Sequence, residues 1–228
     1  PFFLYLANSM PHIPLFASPE FEGKSKRGLY GDVVEEIDYN TGRILDVLKE
    51  LKVDKNTIVI FSSDNGPWLT KGKDGGSAFP LFEGKFTSFE GGMRVPFIVK
   101  WSNEIKAGTV CEELAATIDI LPTLAHITGA KPPEMNLDGK SILDLWKGTP
   151  GTKTPHEYFF MIYTAQAVRT ADWKYHKKQR FTVAKNMRND ESPALYNLKD
   201  DIGETKNQID KYPEIAQKLA KALDDHLI

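Results

Sequence analysis

Apolar positions in the first sixty residues fall into three blocks with different periods. Phe2, Phe3, Leu4, Tyr5 and Leu6 run unbroken into Ala7, the pattern of a strand covered on both faces. From Arg27 to Leu51 the residues Tyr30, Val33, Val34, Ile37, Ile44, Leu45, Leu48 and Leu51 recur at steps of three and four. That period predicts one long amphipathic helix. Its acids Asp32, Glu35, Glu36, Asp38, Asp46 and Glu50 are expected mostly on the solvated face, with Asp38, near the apolar stripe, in structural pairing. Ile58 to Phe61 is a second apolar, β-branched strand. Strand, helix and strand over residues 2–61 predict a crossover unit and hence a parallel sheet.

Further along, Val95 to Trp101 reads as a strand and Ala115 to Gly129 as a helix, with Asp119 as a structural N-cap, Pro122 in the first turn and Gly129 as its stop. Leu137-Asp138-Gly139 predicts a turn before a short helix, Ser141 to Trp146. The character changes after the break at Thr149-Pro150-Gly151. Tyr158 to Tyr163, Ala165 to Thr170, Trp173 to Lys177 and Ala194 to Leu198 read as short antiparallel strands. Asn186 to Ser192 is polar and expected to be mobile. Tyr212 to Leu227 closes the chain as an amphipathic helix. The expected fold class is α/β: a partial parallel or mixed sheet flanked by helices over residues 1–150, then a small α+β subdomain over 151–228.

Composition narrows the function classes. The 228 residues are 41% hydrophobic, enough for a sizeable core, and carry a formal charge of −2. Nothing in that balance asks for a nucleic-acid or membrane-surface partner. Cys111 is the single cysteine, so no disulfide forms within the chain. The chain opens in the middle of a predicted strand, without a Met or a signal peptide, and is expected to be the carboxy-terminal piece of a longer protein.

Candidate chemistry gathers at strand ends and in one long loop. Ile58-Val59-Ile60-Phe61-Ser62-Ser63 ends abruptly in Asp64-Asn65-Gly66-Pro67. An acid and an amide at the carboxyl end of a core strand suit a hard cation, Ca²⁺ or Mg²⁺, and equally suit a plain turn. His12 sits between Pro11 and Pro14 just past the first strand, as a surface-loop residue or a functional one. Residues 66–92 are rich in Gly and Lys. Their aromatics Trp68, Phe79, Phe82, Phe86 and Phe89 predict an ordered, packed loop. Lys85, between Gly84 and Phe86, is either solvated or presents its charge to an anionic oxygen.

Several of these motifs occur together in a known order. Pro11-His12-Ile13-Pro14, Ser63-Asp64-Asn65-Gly66-Pro67, Gly84-Lys85 and Phe89-Glu90-Gly91-Gly92-Met93-Arg94-Val95-Pro96 resemble the carboxy-terminal half of a formylglycine-dependent sulfatase of the arylsulfatase type, in the alkaline-phosphatase superfamily. Asp119-Ile120-Leu121-Pro122-Thr123, Leu137-Asp138-Gly139, Ala167-Val168-Arg169 with Trp173-Lys174, and Leu195-Tyr196-Asn197-Leu198 are similar to family positions too. The resemblance implies that Asp64 and Asn65 complete a Ca²⁺ site, with Mg²⁺ as the other candidate. It implies that Lys85 and His12 bind the sulfate ester as catalytic residues, and that Glu90, Gly91, Gly92 and Arg94 shape the loop behind Lys85. It further implies a sulfate-ester small molecule or sulfated glycan as substrate, and a periplasmic, secreted or lysosomal location.

The departures are as informative. The family makes its formylglycine nucleophile from the cysteine of a Cys-x-Pro-x-Arg motif, whereas Cys111 lies in Val110-Cys111-Glu112-Glu113-Leu114. Cys111 is therefore expected to be a small, buried or half-buried residue, and the nucleophile to lie in the amino-terminal half of the same protein. This chain alone is expected to be inactive. Glu83 replaces what is often a small or apolar residue two before the lysine, and is expected to bear on substrate choice. A phosphonate or phosphodiester hydrolase of the same superfamily, and a non-catalytic module binding anionic glycans, are the alternatives.

Overall fold

A computed structural model describes residues 1–162, 166–184 and 189–227. Helix α1 (Gly28–Glu50) follows the predicted period. Strands β1 (Val59–Ser62) and β2 (Phe97–Lys100) come next, separated by a long loop that contains the short helix α2 (Glu90–Met93). Helix α3 (Ile120–Thr128) ends at Gly129, whose φ of 71° provides the left-handed stop, and α4 (Leu143–Lys147) follows. The remainder is strands β3 (Phe159–Ile162), β4 (Gln166–Arg169), β5 (Trp173–Arg180), β6 (Asn189–Asp190) and β7 (Ala194–Asn197), then helix α5 (Pro213–His226).

No parallel sheet of the expected kind occurs among the described residues. β1 pairs with β2 in antiparallel register, Val59 opposite Lys100 and Ser62 opposite Phe97, and every strand pair among the described residues is antiparallel. Residues 2–7 form no strand, and their side chains are exposed, Phe3 by 80%. A run of this kind becomes a central strand only when neighbours on both sides supply its hydrogen bonds, and no described residue does so. β1 is likewise covered on one face only. Ile58, Ile60 and Val99 pack on Ile142, Leu145 and Trp146, while Phe61 and its partner Ile98 lie on the open face.

Two acids read as solvated, Asp32 (buried) and Glu36 (half-buried), instead partner the chain that precedes α1. Asp32 accepts the backbone N–H groups of Gly23 (2.9 Å) and Ser25 (2.6 Å), which hold its carboxyl below the ordinary range. Glu36 accepts that of Ser18 at 2.9 Å. Cys111 also departs from expectation: it is exposed. Asp119 is fully buried and ties three elements together. It accepts the N–H groups of Ala116 and Lys140, both at 2.9 Å, and pairs with His156 Nε2 at 2.7 Å.

The carboxy-terminal sheet runs β3-β4-β5-β6, and β7 also pairs with β5, along the edge that β6 uses. Side-chain alternation gives it two faces. Val168, Tyr175 and Leu195 point to α5 and meet Ala216, Leu219 and Leu223. Lys174 and His176 point the other way, toward Phe89, Phe181 and Tyr196. β5 is longer than the alternation predicts, and β6 falls inside the segment expected to be mobile. Residues 186–188 of that expectation lie outside the described residues, as do the adjoining ends of two predicted strands at 163 and 165.

Candidate active site

The turn after β1 and the loop before α2 pack backbone to backbone. The N–H of Gly66 donates to Gly92 O at 2.9 Å, and that of Lys85 donates to Pro67 O at 2.9 Å. The approach is so close that a Cβ at Gly66 would stand 1.8 Å from Gly91 O, and one at Gly84 would stand 2.4 Å from Pro67 O. No other residue fits at either place, which explains glycine at both. This contact sets the Asp64-Asn65 turn beside the Gly84-Lys85 loop.

Trp68 is the meeting point of His12 and Lys85. The His12 ring lies 5.5 Å from the Trp68 ring, centroid to centroid. Lys85 Nζ lies 5.4 Å from the Trp68 centroid and 5.5 Å from that of Phe86. Both candidate sulfate-contacting residues thus reach the same indole from segments more than seventy residues apart in sequence. His12 Nδ1 lies 2.7 Å from Ile13 O. A carbonyl oxygen only accepts, so Nδ1 carries the proton and Nε2 is left for a ligand.

Asp64 is exposed and Asn65 half-buried. Asn65 Nδ2 donates to Gly66 O at 3.1 Å, which leaves Oδ1 as the amide's acceptor. Asp64 makes no hydrogen bond or ion pair among the described residues. Two hard oxygens suit Ca²⁺ or Mg²⁺ in kind. They are too few to hold one, since Ca²⁺ takes about six to eight oxygens. No group of three or more His, Cys, Asp or Glu able to hold a metal occurs among the described residues. The donor set is therefore a partial one. Two concavities, of about 160 and about 220 Å³, lie around Asp201 and around Cys111; neither is lined by His12, Asp64 or Lys85.

Glu83 fills a place that sequence reasoning gave to substrate choice. It is buried, and its carboxylate accepts from the N–H groups of Thr182 (3.1 Å), Val183 (3.1 Å) and Ala184 (2.8 Å) and from Thr182 Oγ1 (2.6 Å). Glu83 and Phe86, on either side of Gly84-Lys85, both adopt positive φ, 58° and 74°. These four donors help hold the loop in that costly conformation. Glu83→Ala leaves them unpaired and should lower stability by about 2–4 kcal/mol, read as a reduced urea midpoint.

Behind the loop lies a buried ionic cluster in which Lys174, already noted as similar to a family position, meets His176 and Glu204, which sequence reasoning did not single out. Glu90 accepts from Arg169 Nη1 at 2.7 Å and Lys174 Nζ at 3.0 Å. Glu204 accepts the Glu90 N–H at 2.6 Å, pairs with His176 Nε2 at 3.1 Å and lies 3.3 Å from Lys174 Nζ. Nε2–H therefore donates to Glu204, and His176 Nδ1 accepts from Ser88 Oγ–H at 3.3 Å. Ser88, His176 and Glu204 resemble a nucleophile–base–acid relay, yet all three are buried and no substrate reaches them. They hold the loop rather than react. The available signal was alternation: Lys174 and His176 occupy inward positions of β5, where charged residues occur only if paired.

Residues 1–130 match the family model described as Sulfatase, and residues 78–227 match that of N-sulphoglucosamine sulphohydrolase, C-terminal. The chain belongs to the sulfatase family. It is 34% identical over 240 residues to arylsulfatase A of Bos taurus, covering 98% of this chain and 47% of that protein. It is 41% identical over 178 residues to N-acetylgalactosamine-6-sulfatase of Canis lupus familiaris, covering 77% of this chain and 34% of that protein. A solved structure concerned with the metabolism of multiple glycosaminoglycans by Bacteroides thetaiotaomicron superposes with a TM-score of 0.84 at 30% identity. It covers 99% of this chain and 50% of its own. The chain thus spans half or less of the length of these relatives. No described helix of this sulfatase-family chain is long and apolar enough to cross a membrane.

Proposed function

We propose that this chain supplies half of the active site of a sulfuric ester hydrolase, with the nucleophile in residues preceding Pro1. The observation that carries this reading is the convergence of His12 and Lys85 on Trp68, beside the Asp64-Asn65 turn. Hydrolysis of a sulfate ester breaks the bond between sulfur and the alcohol oxygen and leaves charge on that oxygen. Lys85 donates hydrogen bonds to a sulfate oxygen and offsets its negative charge. His12, in its imidazolium form, gives the Nε2 proton to the departing oxygen. Asp64 and Asn65 would contribute two oxygens to a Ca²⁺ site whose other ligands would come from the preceding half. When bound, that ion supplies further positive charge against the sulfate. Glu90, Gly91, Gly92 and Arg94 act structurally, behind Lys85. The glycosaminoglycan and sugar-sulfatase relatives support a sulfated glycan as substrate.

Aryl-sulfate and sugar-sulfate hydrolysis, measured for this chain alone and for the longer protein that contains it, tests the reading. Turnover is expected from the longer protein only, lost on chelation and restored by Ca²⁺. Family-like turnover by the chain alone, or none by the longer protein on either substrate class, would overturn it.

A further inference from the structure

Trp68 carries a second cation that the proposed reaction does not use. Lys71 Nζ stands 4.5 Å from the centroid of the indole, closer than Lys85 Nζ at 5.4 Å. The two ammoniums therefore lie within about 10 Å of each other, by way of one ring. Neither has a carboxylate partner among the described residues, although ion pairs are plentiful elsewhere in the chain. The arrangement is built into the loop. Lys71 lies in the 3₁₀ segment Leu69–Asp74, which turns directly after Trp68, and its N–H donates to Trp68 O at 3.0 Å. That turn folds the lysine back over the ring of the residue three places before it.

Two like charges gathered on one indole repel each other, and water and salt screen the repulsion only in part. An anion placed between or beside them removes that cost. The scissile sulfate ester carries a single negative charge, and the proposed reaction already sets Lys85, His12 and a divalent cation against it. Lys71 is surplus to that requirement. It lies over the same indole, within about 10 Å of Lys85 Nζ, a span that a neighbouring group on the same sugar unit or the next one covers.

We propose that Trp68 and Lys71 form a second anion subsite, selecting glycans that bear a further sulfate or carboxylate next to the sulfate to be cleaved. This rests on the sulfatase reading of Lys85, and it goes further in naming a multiply anionic substrate class. Trp68 holds the ammonium in place, and Lys71 makes the ionic contact. Selectivity arises as the difference in affinity between the multiply and singly charged ligands.

Calorimetric titration of the longer protein with glucosamine carrying one or two sulfates, and with a monosulfated disaccharide with or without a uronate, tests the subsite. Lys71→Ala should weaken binding of the disulfated sugar, the uronate disaccharide or both by about five- to tenfold. Binding of each singly charged counterpart should stay within about twofold. Lys71→Arg should retain most of the preference, and Trp68→Ala should lose it. A loss confined to one ligand identifies the second group as sulfate or carboxylate. Equal losses for singly and doubly charged ligands, no loss for any, or no binding of any of the four sugars overturns the subsite. These measurements need no turnover. A subsite that behaves as expected in a protein that hydrolyses no sulfate ester would count against the proposed reaction alone.

Discussion

Lys85→Ala is expected to lower kcat on an aryl sulfate by about 10²–10³-fold, the range for loss of one preorganised donor to a developing negative charge. Lys85 Nζ is held between Trp68 and Phe86 and has no ion-pair partner among the described residues, so its removal orphans no protein charge. Its backbone N–H to Pro67 survives the change. The variant should therefore keep its urea midpoint while losing rate, and Lys85→Arg should recover only part of that rate, because a planar fork replaces a compact point charge. A variant within about threefold of the parent rate would remove Lys85 from the chemistry.

Lys174→Met carries the largest expected cost in stability, about 3–5 kcal/mol. The lysine is wholly buried and stands between two buried carboxylates, at 3.0 Å from Glu90 and 3.3 Å from Glu204. Arg169 remains to balance Glu90, whereas Glu204 keeps only the neutral His176 and a backbone N–H. Adding Glu204→Gln should restore part of the loss, since the uncompensated charge goes with it. Urea denaturation of the two single variants and the double one measures the coupling, and a cost under about 1 kcal/mol for Lys174→Met would show that the charge finds relief elsewhere.

Acid acts on the same cluster. Burial is the main force that holds the pKa of His176 below its ordinary value, and the hydrogen bond it donates to Glu204 pulls the other way. Ser88, Lys174, Glu90, Phe89 and Tyr196 also surround it. The unfolded chain therefore binds a proton there that the folded chain does not, so stability falls as the pH drops below about 6.5. Glu90 adds to this at lower pH. Burial would raise its pKa, but Lys174 and Arg169 outweigh burial and hold it below the ordinary range. Its contribution is present above about pH 4.3 and is lost as the pH falls through the lowered value.

The helices were legible because their signal is local. Gly28–Glu50 and Pro213–His226 each expose one period of apolar residues, and both lie within a residue or two of expectation. Most of the small strands of the carboxy-terminal sheet were legible for the same reason. The order and direction of β1 and β2 were not. Ile58 to Phe61 has the composition of a doubly covered strand, but its pairing depends on which chain lies beside it. The candidate site was legible as a set of motifs and illegible as an arrangement. Nothing near Glu83 reveals donors about a hundred residues downstream, and nothing near Asp32 reveals that Gly23 and Ser25 turn back to meet it. Buried carboxylates that serve distant backbone leave no periodic trace, and acids in a helix or loop read as solvated until the partner segment is placed.

The uncovered run Phe2 to Leu6, with Phe61 and Ile98 on the open face of the two-stranded sheet, bears on how the isolated chain behaves in a tube. Bulky side chains left in water seek each other across molecules. Preparations of this polypeptide by itself should sediment as concentration-dependent assemblies and brighten hydrophobic dyes, and mild detergent should disperse them.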